Sequence, residues 1–85
     1  MIRRRSEVIW RPVDGRVVGL DLESSTYFSL NPSAAVLWER LADDALAGEL
    51  AEVLEREFGL DADRARADVE AFLGELRAAG LLVES

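Results

Sequence analysis

The chain has no cysteine and no histidine. That excludes disulfides, thiolate and imidazole nucleophiles, and nearly all zinc chemistry. With no histidine, Ser24, Ser25 and Ser29 cannot belong to a serine triad. Lysine is also missing, and all ten basic residues are arginine. No apolar run approaches the roughly 20 residues of a membrane span. Met1 to Arg5 is basic, yet no signal-peptide core follows it, which argues against secretion and for a cytoplasmic location. The six glycines are scattered, so no glycine run cradles a phosphate.

What is present suits one small domain, residues 1–85, with one core. Apolar residues make up 49% of the 85. The net charge of −7 is unevenly placed. Residues 1–42 hold six Arg against five acids, and residues 43–85 hold four Arg against twelve. An acidic second half argues against a polyphosphate partner, because affinity for nucleic acid rests on a basic face. The carboxylates read as solvated helix faces, as at Glu49/Glu52 and Asp61/Asp63/Asp68. The adjacent pair Asp43-Asp44 reads as a helix cap, since neighbouring carboxylates without a third ligand chelate poorly. Neither a metal nor a cofactor is expected, and the chain does not read as an enzyme.

Along the chain, Arg3 to Arg5 read as a frayed terminus. Ser6 to Pro12 alternates, with Val8 and Trp10 opposite Ile9 and Arg11, as a strand does. Asp14-Gly15 is a hairpin signal, because a type I′ turn needs positive φ at both central residues. A second strand covers 16–22, with Val18, Leu20 and Leu22 on one face and Val17, Gly19 and Asp21 on the other. Gly19 within it points to a bulge or a close backbone approach. A third strand covers 26–30. At Asn31-Pro32 the period changes from strand to helix: Asn31 caps, and Pro32 suits the first helical position. Helices are expected over about 32–42, 46–58 and 61–79, with Gly59 and Gly80 as C-terminal caps and Asp61 as an N-cap. Leu81-Leu82-Val83 is an apolar tail expected to return to the core.

This order defines an α+β fold, a three-stranded antiparallel sheet followed by three helices. Without catalytic groups, function falls to surface shape. An open sheet edge accepts an extended peptide as a further strand, with backbone bonds supplying affinity. The third strand, Thr26, Tyr27, Phe28, Ser29 and Leu30, is uncharged and lacks the Lys or Pro that blunts an edge.

Asp14-Gly15, Val17 to Asp21, Tyr27-Phe28-Ser29-Leu30-Asn31, Ala34 to Trp38, Glu49 to Leu54, Asp68-Val69, Phe72-Leu73, Leu76 and Gly80-Leu81-Leu82 fall in an order that resembles the PqqD-like family. These are the peptide-recognition elements of ribosomal peptide natural-product (RiPP) pathways. The resemblance covers roughly residues 6–83, and the usual Thr opening the second helix is replaced near Ala45 to Ala47. It implies a winged helix-turn-helix-like fold and a non-catalytic role. The leader region of a precursor peptide would add as a strand to the third strand and lie in a groove against the third helix. Carried over, the peptide-binding set is Thr26 to Leu30 with Arg64, Asp68, Val69, Phe72 and Leu76 of that helix. The implied partners are the precursor leader and a separate modifying enzyme or leader protease, as in lasso-peptide clusters. The chain is expected to be a monomer or weak dimer, with no nucleic acid or membrane partner. Alternative readings are a peptide chaperone in pyrroloquinoline quinone biosynthesis, a winged-helix DNA-binding regulator, and an acidic dimerisation module. The acidic helices would face DNA phosphates badly.

Overall fold

Asp14 and Gly15 adopt φ of 51° and 77°, the left-handed pair that closes a two-residue hairpin. In this computed structural model, which describes residues 1–84, that turn joins strands β2 (Val8–Val13) and β3 (Arg16–Asp21). β4 (Thr26–Leu30) pairs antiparallel with the far side of β3, giving a sheet of order β2-β3-β4. Three helices follow: α1 (Pro32–Arg40), α2 (Ala47–Phe58) and α3 (Ala62–Ala78). The fold is the expected α+β, winged-helix-like arrangement.

The helix termini follow local chemistry. Asn31 Oδ1 accepts from the Ala34 N–H at 2.9 Å, with Pro32 at the start of α1, the arrangement that satisfies one orphan donor and wastes none at the proline. Asp61 Oδ1 accepts from the Arg64 N–H at 2.8 Å to cap α3. Gly59 ends α2 at a φ of 65°, a left-handed cap that costs glycine nothing. Asp43 and Asp44, expected to cap α2, do not. Instead Glu49 Oε1 accepts from the Leu46 N–H at 2.8 Å. That is half of a capping box, and Leu46 supplies no side-chain cap. Gly48 lies inside α2.

The N-terminal arginines are not frayed. Ile2–Arg4 forms β1, paired antiparallel with β5 (Leu82–Glu84), into which the apolar tail runs. The Ile2 N–H donates to Ala45 O at 2.9 Å, and the Arg4 N–H to Leu41 O at 3.0 Å. Three consecutive arginines conceal a strand whose partners lie at the other end of the chain, with Ile2 opposite Glu84. The Arg4 guanidinium lies 4.7 Å from the Trp10 ring centroid and 5.3 Å from that of Trp38. The cation faces the rings and donates to Trp38 O, a cation–π placement. Partial burial lowers its pKa, against the nearby charges of Glu39 and Asp43, which raise it.

Trp38 is fully buried at the centre of the core, with Leu37, Leu41, Leu50, Leu54, Val69 and Leu81. The sheet meets it through its inner face. The Phe28 ring lies 5.3 Å from Trp38 and directly over Gly19, where an added Cβ would sit 2.3 Å from the ring. Gly19 therefore permits a close approach rather than marking a bulge.

Asp21 also faces inward and is 3% exposed. It accepts from Arg5 Nη2 at 2.7 Å, Ser24 Oγ at 2.9 Å and the Glu23 N–H at 3.0 Å. Arg5 in turn donates to Gly80 O, so the pair ties the sheet to the β1–β5 ribbon. Burial pushes the Asp21 carboxyl up. The hydrogen bonds from Ser24, Glu23 and Arg5, with the Arg5 charge, outweigh burial and hold it below its ordinary value, because each favours the charged form. Its folded pKa thus lies below its unfolded one. The stability it contributes is present above the unfolded value, about 3.9, and is lost as pH falls through the folded value. Thermal melts across the acidic range should show this as a fall in midpoint below about pH 4. Asp21→Asn should lower the midpoint at neutral pH and flatten the acid limb; an unchanged limb would contradict the assignment.

Candidate functional site

In the sheet order β2-β3-β4, both β2 and β4 have a free edge. Register decides which backbone groups face out. In an antiparallel pair, directly opposed residues alternate between exchanging hydrogen bonds and exchanging none. Val13 lies opposite Arg16 across the hairpin, and a two-residue turn makes such a pair a bonded one. Counting away from it, Arg11/Val18 and Ile9/Leu20 are bonded, as is Glu7/Leu22, where the Leu22 N–H donates to Glu7 O at 3.4 Å. Val17, Gly19 and Asp21 therefore direct their backbone groups toward β4, onto Leu30, Phe28 and Thr26. Tyr27 and Ser29 are left with N–H and C=O pointing out of the open edge. On β2 the same parity turns Pro12 outward, and that edge loses a donor there.

Beyond the end of β4, the N-terminus of α1 and one stripe of α3 enclose a cleft of about 250 Å³. Arg64, Asp68, Ala71, Phe72 and Glu75 line its α3 side. They recur at i, i+4, i+7, i+8 and i+11, so they share one helix face. Asn31, Ser33 and Ala34 line the α1 side, over Leu37 and Leu54. Arg64 Nε donates to Asp68 at 3.2 Å and 3.3 Å, an i,i+4 pair on the rim.

Of the residues expected from the sequence, the structure brings Arg64, Asp68 and Phe72 together in this cleft. Val69 and Leu76 are 1% and 3% exposed, turned into the core and absent from the lining. Leu30 is buried at the end of β4, and Phe28 is half-buried against Gly19 and Trp38. Thr26, Tyr27 and Ser29 are exposed along the strand. The Tyr27 side chain, 80% exposed, points to the outer face of the sheet, in a shallow depression with Ile9, Val18 and Leu20. What Tyr27 offers the open edge is its backbone. Sequence reasoning misses Ala71, Glu75 and the α1 residues. The signal for Ala71 and Glu75 is the stripe itself, since Ala71 adjoins Phe72 and Glu75 lies one helical turn beyond it. Among the described residues no cluster of three or more acids could hold a metal ion, and no helix is long and apolar enough to cross a membrane.

An uncharged open strand edge that runs into a cleft is the geometry of a site for an extended peptide. The chain belongs to the PqqD family: its residues 16–82 match the family described as coenzyme PQQ synthesis protein D. No curated protein matches it. Two solved structures resemble it over nearly their whole length. One is TbiB1 in complex with the TbiA(beta) leader peptide, at 25% identity and a TM-score of 0.86, covering 98% of this chain and 96% of that one. The other is a lasso peptide synthetase B1 complexed with the leader peptide, at 29% identity and a TM-score of 0.81, covering 98% of both chains.

Proposed function

We propose that this protein is a RiPP recognition element that binds the leader region of a ribosomally made precursor, in lasso-peptide or similar biosynthesis. The observation that carries this is the pairing of an open β4 edge with a cleft against α3, in a fold that two leader-peptide complexes share. The leader adds as a strand to β4, accepting from and donating to the outward groups of Tyr27 and Ser29. Its side chains on the inner face reach the cleft at Arg64, Asp68 and Phe72. Val69 and Leu76 support that wall from behind.

The protein acts without catalysis, in the cytoplasm, and hands the bound precursor to a separate modifying enzyme or leader protease. Two observations favour binding over chemistry. The chain lacks His and Cys, and its most buried carboxylate, Asp21, is fully engaged by structural partners.

The test is a titration of a fluorescently labelled leader, taken from a precursor encoded beside this gene, followed by anisotropy. Saturable one-to-one binding is expected, with amide shifts centred on 26–30 and the cleft face of α3. No saturable binding to any such leader, or shifts confined to another surface, would overturn the reading. A salt-sensitive shift with duplex DNA would instead favour the regulator reading.

A further inference from the structure

The cleft holds more committed polar groups than free ones. Asn31 Oδ1 is taken by the Ala34 N–H and by Ser33 Oγ, which donates to it at 3.0 Å. Arg64 is paired with Asp68. Glu75 lies on the same stripe, exposed, and has no ion-pair partner among the described residues. The cleft thus carries one uncompensated negative charge, set beside the buried apolar surface of Leu37, Leu54 and Phe72.

That combination selects among peptides. A short apolar side chain would satisfy the floor and leave Glu75 as it is. A carboxylate would meet Glu75 and Asp68, and the charge of Arg64 is already offset by its pair with Asp68. A lysine or arginine fits both parts: its methylene stem covers apolar surface while its charged head stays at the wet rim.

We propose that this cleft recognises a basic residue of the bound peptide, with Glu75 as the specificity-determining carboxylate. The bound chain presents a lysine or arginine at one fixed position, its stem over Phe72 and Ala34 and its cation at Glu75. The inference rests on strand addition at β4 and names the class of leader the site takes. Charge complementarity at a partly exposed rim gives selection more than raw affinity.

A displayed library of fully randomised peptides, selected against the intact chain, tests it. Binders should be enriched in Lys or Arg at one position of fixed spacing from their apolar residues. Glu75→Gln should weaken such peptides by about two- to fivefold, as for an exposed ion pair, and leave their alanine analogues unaffected. Added salt should shrink that difference. Glu75→Lys should shift the enriched residue to Asp or Glu. Glu75 is a surface residue of α3, so these variants should keep the far-UV circular dichroism of the parent.

Peptides that need the β4 edge, shown by loss of binding to a Ser29→Pro chain, but show no basic preference would overturn the inference. So would a basic preference that persists in Glu75→Gln. Either result leaves leader binding itself intact. A library that yields no edge-dependent binder would overturn strand addition, and this inference with it.

Discussion

Replacing Tyr27 with proline should abolish leader binding in a chain that remains folded. The register of β3 with β4 points the Tyr27 N–H out of the free edge, so its loss removes no bond of that ladder. Proline is tolerated on an edge strand when its missing N–H faces away from the sheet. Thr26 before it already lies in a strand, the conformation a residue preceding proline prefers. The added strand would lose a donor and meet the proline ring where the N–H had been. A loss of at least about tenfold, or about 1.4 kcal/mol, is expected from one backbone bond. The ring clash makes it larger.

Two controls separate backbone from side chain. Tyr27→Ala keeps the N–H and removes a ring that faces the outer side of the sheet, so leader affinity should change little. Phe28→Pro removes an N–H directed at Gly19 and should break the sheet, visible as lost thermal cooperativity. Anisotropy with a labelled leader and circular dichroism read both properties. An unchanged affinity in folded Tyr27→Pro would rule out pairing at that position.

Trp38→Ala should be the most destabilising single truncation in the chain. Trp38 has no exposed surface and is bounded by Phe28 at 5.3 Å, Trp10 at 6.3 Å in a T-shaped contact, and the Arg4 guanidinium at 5.3 Å. Truncating a buried Trp typically costs about 3–5 kcal/mol through lost transfer energy and the cavity left behind. A small domain is stable by only about 5–15 kcal/mol, so the variant should be marginally folded or unfolded at room temperature. Chemical denaturation measures this, and a cost below about 1 kcal/mol would mean that the neighbours collapse into the space.

The same substitution should weaken leader binding in whatever fraction stays folded. Phe28 rests on Trp38, and β4, paired along its length with β3, packs on the core through Phe28 and Leu30. The inner face of β4 is thus built on the core, although its outer edge is free.

The elements with local causes were legible from the residues alone. Asp14-Gly15, Asn31-Pro32, Asp61, Gly59 and Gly80 each settle their conformation within four residues, by positive φ or by a cap. The faces of β3 were readable from period-two alternation, although nothing local reveals that the inner face includes a carboxylate. Asp21 is tolerated there because Arg5, sixteen positions earlier, folds back onto it.

The first strand was hidden for a similar reason. Arg3, Arg4 and Arg5 have no apolar alternation, and the segment is ordered by distant partners: the return of 82–84, the carbonyls of Leu41 and Ala45, and the rings of Trp10 and Trp38 beside Arg4. Val69 and Leu76 share helical spacing with Phe72, so sequence could not say which side of α3 each would face. A stripe has a direction only once α2 covers one side of the helix and leaves the other open.

By itself, then, the sequence determined the class of this protein: two sheet turns, three helices with the N-caps of the first and third and the glycine end of the second, no side chain able to act as a thiolate nucleophile or imidazole base, and an uncharged third strand. Those properties depend on residue identity and on contacts a few positions apart. The tertiary structure alone decided that Tyr27 and Ser29 turn their backbone outward along the β4 edge while Pro12 turns outward on that of β2, and that Glu75 has no ion-pair partner among the described residues in the cleft beside β4. Strand order, register and helix rotation are set by burial of side chains distant in sequence, chiefly Trp38, Phe28 and Leu54, and no local pattern carries that information.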